Sequence, residues 1–577
     1  MRPHSHLLYA LVLSCLVACH KGGGTSYHLT ISGVPASVDE GTAVAPAITV
    51  SVLDDRNVVA TTQQPVITLA LANATLGATL ASTQTAQAVA GVATFSGVTF
   101  TGEAATVNLL ATAPGTVSAT SSSFAVTAVP TQLVITSAVP STRLPFEAFD
   151  VTVELRSARN TLATAATDVI TLATAAMPDL LWHASGNGTR VTELVEATTA
   201  TVVQNLPNIG GGEIFGAVYD PQRQQLFATN INSRLLAVDP ASGDEAFYFN
   251  QNTASDDLRG LVFDDQGTAY AANSQNDTLH TVDLASGSDT AAGTFTLAGF
   301  TITGVLGFAK QPVTGTVFAI AKASPTRRLC TVDLTTGTLT DIGDLGANFS
   351  ALTFSESGTL YGVTGDGGTP SETLFTIDPA TAVSTQVGAL GNGADGEVIA
   401  WIPRTIHGTT SVAAVGGVAT FTGVYFDVIG TGYTLTASGP RGTAATSSAI
   451  DVAGAVTPTA TLEFASGSST VAENVTGGVT EITLQLSAAQ TFAIPVTLFV
   501  DAASTATLGG ATPDATIAAA FRVVIPAGAT SFTFQVPIVD DTDAETDETL
   551  VFTLQSAALT AGFGGVTTHT LTITSNE

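Results

Sequence analysis

The densest group of chemically active side chains in this sequence is an acidic stretch near its C-terminal end. Six carboxylates occur in the nine residues 540–548. Like charges at this spacing repel one another, and a hard cation that takes oxygen ligands relieves the repulsion. The stretch therefore predicts a calcium-type site. The alternative interpretation is a solvated acidic turn that holds no fixed ion.

A second group of polar side chains occurs in a sequence pattern that repeats along the middle of the chain. Each of these residues lies three positions before the start of one repeat. The group consists of Glu213, Asp257, Asn348 and Asp395, with Gly304 at the equivalent place in a further repeat. If the repeats begin the innermost strands of a ring, these side chains surround one mouth of an axial channel and can hold a cation or a polar ligand group. The alternative is that they are turn residues at strand entries, where Asp and Asn are favoured.

Signals for catalysis are weak. The sequence has no His-Glu-x-x-His, Gly-x-Ser-x-Gly or Cys-x-x-Cys motif. Residues 391–396 match Gly-x-Gly-x-x-Gly, but they lie in an all-β region with no helix to follow, so a dinucleotide site is not expected. Cys330 and His183 stand at repeat positions that otherwise carry strand-packing residues. We therefore expect a non-enzymatic protein.

Four repeats within residues 178–403 would position these polar side chains around the channel. Each repeat reads as a strand, a turn, an aromatic strand, an Asp-ended strand and a Gly turn. The repeats begin at Gly216, Gly260, Gly307 and Ala351, and their matched aspartates are Asp239, Asp283, Asp333 and Asp378. The aspartates recur at intervals of 44, 50 and 45 residues. A period near 45 with four short strands is typical of β-propeller blades.

The two ends of this region complement each other. The segment from Leu180 supplies three later strands of a blade but lacks the first, whereas GEVIAWIP from Gly396 supplies a first strand. Within that strand Trp401 falls in step with Tyr219 and Phe263. This arrangement resembles the closure of many propeller families and predicts five blades, one of them shared between the ends, with no open sheet edge.

Residues 27–128 alternate apolar and polar positions in at least six short runs, as in an antiparallel sandwich. They resemble the immunoglobulin-like modules of bacterial surface proteins. A second copy starts at Thr131. Residues 169–173 repeat 66–70, and residues 417–424 repeat 91–98, so two motifs that start 25 residues apart in the first copy start 248 apart in the second. Because the excess nearly equals the length of the propeller region, we infer that the propeller is inserted into a loop of the second sandwich, as surface loops tolerate.

Residues 458–577 carry a third pattern, which includes Val471-Ala472-Glu473-Asn474, Ile525-Pro526-Ala527-Gly528 and Asp547-Glu548-Thr549-Leu550. These motifs resemble the Calx-beta family of calcium-associated sandwiches. The resemblance implies calcium as a cofactor, with ligands at Glu473, Asp514, Asp540, Asp541 and Glu545. One departure is that Thr512-Pro513-Asp514-Ala515 stands where the family has Gly-x-Asp-Tyr, so the tyrosine is missing.

The N-terminus carries an export signal. Arg2 precedes an apolar run over residues 7–18, which is too short to span a bilayer and suits the core of a signal peptide. The run ends in Leu16-Val17-Ala18-Cys19, which resembles the bacterial lipoprotein box and implies lipidation of Cys19. We expect the outer membrane or cell surface of a bacterium, with membrane contact through the lipid anchor alone.

The predicted fold class is all-β, with immunoglobulin-like and Calx-beta-like sandwiches and a five-bladed propeller inserted in the second sandwich. The expected domains are the signal peptide and lipobox (1–19), a tether (20–26), the first sandwich (27–128), the second sandwich (131–177 plus 404–453), the propeller (178–403) and the Calx-beta-like sandwich (458–577).

The formal charge of -30, from 47 acidic against 17 basic residues, argues against a nucleic-acid partner. The composition and domains predict a surface protein that displays its propeller for binding or adhesion to a protein or glycan, with calcium in the last sandwich. One alternative is an enzyme with its site in the propeller channel, such as a lyase, lactonase or other hydrolase. Another is a structural spacer without a specific ligand.

Overall fold

The computed structural model describes residues 26–576, apart from residues 75–76, 82–83, 176, 187–190, 208, 210–212, 222–223, 231–233, 241–242, 244, 251–257, 283–288, 366, 391–395, 455–458, 502, 509–512, 519, 542–544 and 555–561. The regular elements in the described part of the chain are all β-strands, so the predicted all-β class is confirmed. The signal peptide, Cys19 and most of the tether lie outside the described residues and stay predictions. No helix of the described residues is long and apolar enough to cross a membrane.

The first sandwich consists of two facing sheets, β10-β1-β3-β7 and β2-β12-β9-β4-β6. The sequence of Ile48–Leu53 alternates apolar and polar residues. Because successive side chains of a strand point to opposite faces, every second residue is buried and one face of the strand packs in the core. The strands are β1 (Tyr27–Ser32), β2 (Ser37–Asp39), β3 (Ile48–Leu53), β4 (Val66–Ala74), β5 (Thr79–Leu80), β6 (Gln84–Gln87), β7 (Val92–Phe95), β8 (Phe100–Thr101), β9 (Ala104–Thr112), β10 (Thr116–Val117), β11 (Ala119–Thr120) and β12 (Phe124–Thr127).

The second sandwich begins with four strands and is then interrupted. These are β13 (Gln132–Ile135), β14 (Thr142–Arg143), β15 (Phe149–Arg156) and β16 (Val169–Thr174). In β15 every second side chain is buried, so this strand has one face in the core of the sandwich.

The propeller follows, with one sheet for each of five blades. The segment that opens it contributes β17 (Leu180–Ser185), β18 (Thr192–Glu196) and β19 (Thr201–Leu206). The first two complete blades are β20 (Ile214–Asp220), β21 (Gln225–Asn230), β22 (Arg234–Val238) and β23 (Glu245–Asn250), then β24 (Leu258–Phe263), β25 (Ala269–Asn273), β26 (Thr278–Val282) and β27 (Asp289–Thr294).

The third blade adds a short parallel strand at its outer edge, where β28 pairs with β32. The remaining propeller strands are β28 (Thr296–Leu297), β29 (Ile302–Lys310), β30 (Val317–Ala323), β31 (Thr326–Val332), β32 (Thr338–Asp344), β33 (Phe349–Phe354), β34 (Leu360–Thr364), β35 (Thr373–Ile377), β36 (Ser384–Ala389) and β37 (Gly396–Ile402). Strand β37 pairs with β17, so the fifth blade is assembled from both ends of the insert.

The innermost strands β20, β24, β29, β33 and β37 contact one another in sequence, and β37 contacts β20, so the ring is closed. Glycines permit the close approach along the axis. A β-carbon on Gly307 would lie 2.6 Å from the Cα of Ala351 on the next inner strand. Only a residue without a side chain fits there, because real β-carbons do not approach backbone atoms so closely.

The chain then returns to the second sandwich. Its later strands are β38 (Ile406–His407), β39 (Ser411–Ala413), β40 (Val418–Phe426), β41 (Gly430–Tyr433), β42 (Leu435–Ser438), β43 (Ala445–Thr446) and β44 (Ile450–Val452). Strand β15 pairs with β40, and β16 pairs with both β39 and β42. Strands on either side of the propeller thus share the same sheets, and the predicted insertion is confirmed.

The C-terminal sandwich has sheets β45-β47-β50 and β46-β52-β51-β48-β49. Every residue of β48 is buried, which reflects its near-continuous apolar sequence IPVTLFV. The strands are β45 (Leu462–Phe464), β46 (Ser468–Ala472), β47 (Val479–Leu486), β48 (Ile494–Val500), β49 (Ala520–Ile525), β50 (Ser531–Pro537), β51 (Glu548–Leu554) and β52 (Thr568–Thr574).

Candidate ligand cavity and cation site

Near its end, the innermost strand of each blade contributes one residue to the lining of the same cavity. Four are aromatic and the fifth is a lysine: Tyr219, Phe263, Lys310, Phe354 and Trp401. All five line one cavity of about 640 Å³. We call them the collar. The repeat that builds the blades therefore also builds a ligand-sized cavity, since each blade places the same position around the axis.

Polar groups form the outer rim of this cavity. They include Asp265 and Glu356 from turns after the inner strands, Gln224 from the first complete blade, and Thr405 and His407 from the return to the second sandwich. The inner strands run toward this rim, so the cavity faces the domain that hosts the propeller. An aromatic wall with a few polar groups at its edge is the usual composition of a small-molecule site.

Lys310 departs from the aromatic pattern of the collar. Its Nζ lies 2.7 Å from Oδ1 of Asp265, which belongs to the neighbouring blade. The Asp265 side chain is 72% exposed, so this ion pair lies at the open rim and is screened by water. The pair neutralises one positive and one negative charge at the cavity. The sequence signal for it was a lysine at a repeat position that is otherwise aromatic.

Trp401 is held in place by two hydrogen bonds, and a third fixes its partner Asp179. Its indole Nε1 donates to Oδ1 of Asp179 at 3.2 Å, and its backbone N–H donates to Oγ1 of Thr353 at 3.0 Å. The second oxygen of Asp179 accepts a hydrogen bond from the Tyr361 hydroxyl at 2.9 Å. Burial and the charge of Asp179 raise the pKa of Tyr361, so the hydroxyl stays protonated as the donor. The indole therefore presents a fixed surface to the cavity.

Glu213 and Asn348 of the predicted polar ring directly precede the innermost strands β20 and β33, at the opposite end of these strands from the collar. There Glu213 is half-buried and Asn348 is exposed. Asp257 and Asp395 lie outside the described residues, so the ring stays a prediction. The collar was not singled out from the sequence as a site, although the alignment of Trp401 with Tyr219, Phe263 and Phe354 already contained the signal.

A second site lies in the C-terminal sandwich. Oxygens of Asp514, Glu545 and Glu548 all lie within 4.8 Å of one another. Asp514 precedes β49, and Glu548 begins β51, which pairs with β48 in the same sheet. Three convergent carboxylates present only oxygen ligands, which fits a hard cation such as calcium and does not suit softer metals.

The protonation of this cluster is shared among its members. Burial raises the pKa of Glu548 to about 7, and a hydrogen bond to Asp514 and the negative charges of Asp514, Glu545 and Glu473 add to the effect. Burial also acts to raise the pKa of Asp514, but hydrogen bonds from Thr507, Glu548 and Glu545 outweigh it and hold the pKa below the ordinary value. The cluster therefore binds protons in competition with any cation.

The five predicted calcium ligands are placed as follows. Asp514 and Glu545 belong to the cluster, and Glu473 is buried beside it and accepts the backbone N–H of Asp541 at 3.5 Å. Asp541 is half-buried and contributes to the raised pKa of Glu545, whereas Asp540 is exposed. Glu548 was counted in the acidic stretch but not among the ligands, because the start of a strand gave no indication that it turns toward Asp514.

His183, Trp182 and Cys330 are buried inside the propeller blades. His183 is fully buried, with Nδ1 3.1 Å from Oε1 of Glu193 and Nε2 3.9 Å from Oε1 of Glu372. Trp182 is also fully buried and fills the closure of the fifth blade. Cys330 is buried, and desolvation raises the pKa of its thiol to about 12, which makes it unreactive as a nucleophile.

No family model matches this sequence, and no curated protein matches it. Among solved structures, the chain is similar to a nidogen/laminin complex at 13% identity and a TM-score of 0.30, covering 39% of this chain and 98% of that one. It is similar to the apo form of the Calx CBD1 domain at 18% and 0.17, covering 21% and 100%. An auxiliary nutrient binding protein from Bacteroides ovatus matches at 13% and 0.24, covering 73% and 85%. All three TM-scores lie below 0.5, and no function is transferred from these proteins.

Proposed function

We propose that this chain is an exported, lipid-anchored binding protein whose propeller cavity holds a neutral, hydroxyl-rich ring, such as the terminal sugar of a glycan. The observation that carries the proposal is the collar of four aromatic side chains and one lysine around a cavity of about 640 Å³. In the C-terminal sandwich, Asp514, Glu545 and Glu548 would bind calcium and strengthen that domain.

The charges at the cavity disfavour an anionic ligand, and Lys310 limits the contact that an organic cation can make. Lys310 places an ammonium group among the aromatic residues, where a cation would otherwise meet a fifth ring. Anions are repelled by the carboxylates of the lining. The charge of Lys310 is paired with Asp265, and the lining also contains Asp220, Asp264 and Glu356. Aromatic faces pack against the apolar face of a sugar ring, and carboxylates and amides accept hydrogen bonds from its hydroxyl groups.

The geometry of His407 argues against the alternative of a hydrolase. A catalytic triad uses the two ring nitrogens for different partners, one for the nucleophile and one for the carboxylate. Here Nε2 of His407 faces both Oδ2 of Asp427 at 3.0 Å and Oγ1 of Thr405 at 3.4 Å. The same nitrogen cannot accept the hydroxyl proton and donate to the carboxylate, so we propose no Thr405-His407-Asp427 triad.

The test is a glycan array with the soluble chain 25–577, followed by calorimetry on each hit. Trp401→Ala should weaken binding of a neutral glycan at least tenfold, because it removes the fixed indole of the collar. Phe300→Ala is the matched control, since this ring is 39% exposed on the propeller outside the cavity and packs under Arg328. Equal binding by wild type and Trp401→Ala would overturn the proposal, and turnover in a broad hydrolase screen would favour the enzyme instead.

A further inference from the structure

Arg522 extends from strand β49 of the C-terminal sandwich to the propeller. Its side chain is only 3% exposed, and Nη2 lies 3.1 Å from Oδ2 of Asp239, which follows strand β22 of the first complete blade. Nη1 donates to the backbone oxygen of Gln224 at 3.4 Å. Gln224 lines the ligand cavity, so Arg522 touches a residue of the cavity directly.

The same guanidinium also reaches the second sandwich. Nη1 lies 3.9 Å from Oδ2 of Asp427, and that oxygen is 3.0 Å from Nε2 of His407. Asp427 is 6% exposed and His407 lines the cavity. One carboxylate oxygen therefore connects an arginine of the C-terminal sandwich to a rim residue of the cavity.

Apolar and aromatic groups enclose this connection. The ring of Tyr425 lies 5.3 Å from His407 and 5.9 Å from Phe146, measured between ring centroids. The Arg522 guanidinium lies 5.6 Å from the centroid of Phe146, whose backbone oxygen accepts the N–H of Ala493 at 2.7 Å. Charges buried in such surroundings are retained only with their partners, because an unpaired buried charge costs several kcal/mol.

Beyond its proposed binding function, we propose that the C-terminal sandwich completes the ligand cavity of the propeller, with Arg522 as the positioning residue. Through Asp427 it holds His407, and with it the rim segment 403–407, which begins two residues after Trp401. The cavity thus takes its closed form when three domains meet at Arg522, although every collar residue belongs to the propeller.

The test needs no ligand and uses the full chain 25–577. Of its two tryptophans, Trp182 is fully buried and Trp401 lines the cavity, so acrylamide quenching of fluorescence reports on Trp401. Arg522→Met should raise the quenching constant at least twofold, Asp427→Asn should act in the same direction, and Arg522→Lys should restore part of the protection. Arg441→Met is the control, because it breaks an ion pair with Asp168 within the second sandwich, away from the cavity.

An unchanged quenching constant in folded Arg522→Met would overturn the inference, whatever happens to glycan binding. Should that variant fail to fold, Arg522→Lys and Asp427→Asn carry the test, and protection equal to wild type in both would overturn it. Because the measurement uses acrylamide alone, its result is independent of the proposed glycan ligand. Loss of glycan binding in Trp401→Ala with unaltered quenching in Arg522→Met would sustain the binding function and reject this inference.

Discussion

Asp239 and Arg522 form a buried ion pair between the propeller and the C-terminal sandwich, with Oδ2 and Nη2 3.1 Å apart. Asp239 is one of the matched aspartates of the blade repeat. Its counterparts Asp333 and Asp378 accept backbone N–H groups of their own turns, from Thr335 and Ala380, both at 2.9 Å. One repeat position therefore serves a local turn in some blades and a domain contact in another.

Replacing Arg522 by Met should destabilise the docked C-terminal sandwich by about 3–5 kcal/mol, because buried Asp239 and Asp427 both lose the guanidinium, although Asp427 keeps His407. Calorimetric melting of the full chain should show the transition of this domain at a lower temperature. Arg441→Met should cost less than about 1 kcal/mol, since its side chain is 50% exposed. Equal effects of the two variants would contradict the prediction.

The pair of His407 and Asp427 should make the junction sensitive to alkaline pH. Burial acts to lower the pKa of His407, but the charge and hydrogen bond of Asp427 outweigh it and raise the pKa. The pair therefore contributes its full stability below the ordinary histidine pKa of 6.5 and loses it as pH rises through the raised value. Melting temperatures between pH 5 and 9 should show this loss in wild type. The slope above about pH 7, where Glu548 no longer contributes, should disappear in His407→Gln, and an identical slope there in both proteins would refute the assignment.

Calcium binding should release protons near neutral pH. Because the pKa of Glu548 is raised to about 7 from 4.5, its carboxyl favours the protonated form in the fold. In chelator, the stability of the C-terminal sandwich should fall as pH rises from 4.5 to 7, and calcium should restore it by displacing the proton. Proton release on calcium addition at pH 6.5 can be followed with an indicator dye.

Glu548→Gln should abolish both the release of protons and the fall of stability between pH 4.5 and 7. Glu481→Gln offers a matched control, since Glu481 is exposed on strand β47 of the same domain. If calcium neither stabilises the wild-type domain nor releases protons at millimolar concentration, the cluster is not a calcium site.

Lys310→Phe should change the charge selectivity of the cavity. The substitution supplies the fifth aromatic ring and leaves Asp265 without its lysine partner, so tetramethylammonium should bind by contact with the rings and attraction to the carboxylate. Titration monitored by Trp401 fluorescence measures this affinity. The double variant Lys310→Phe with Asp265→Asn should bind at least tenfold more weakly than Lys310→Phe alone. Comparable binding by wild type would show that Lys310 does not control selectivity.

Gly307→Ala should destabilise the propeller by about 1–3 kcal/mol, because the new methyl group meets the backbone of Ala351 at 2.6 Å and two inner strands must separate. Gly216→Ala should act similarly, since its β-carbon would lie 2.8 Å from the backbone nitrogen of Gly260. Chemical unfolding followed by fluorescence of the two tryptophans provides the measurement. A loss below about 0.5 kcal/mol in both variants would mean that the ring can widen without cost.

The sequence was informative where the structure depends on local periodicity. Alternating apolar residues, turn glycines and a period near 45 residues indicated the sandwiches and the blades, since these features act between neighbouring residues. The insertion could be predicted because the two sandwiches share sequence motifs, and such a motif is recognisable even when its partner strand is far away in the chain. Strand β16, which precedes the propeller, pairs with β39 and β42, which follow it.

The sites were less accessible to the same reasoning. Glu548 was overlooked as a ligand because its approach to Asp514 depends on how two loops meet in space. Lys310 showed only as an irregularity in the repeat, and its pairing with Asp265 requires the rotation between adjacent blades.

By itself, the sequence determined the fold class, the number of blades and the host of the inserted propeller, because hydrophobic alternation and repeated motifs encode which strands form and pair. Only the tertiary structure decided that the collar encloses a cavity on the side of the second sandwich and that Arg522 joins three domains beside it. The physical reason is distance. Burial and charge pairing act between atoms a few ångströms apart, and residues 239, 427 and 522 become neighbours only when the domains dock.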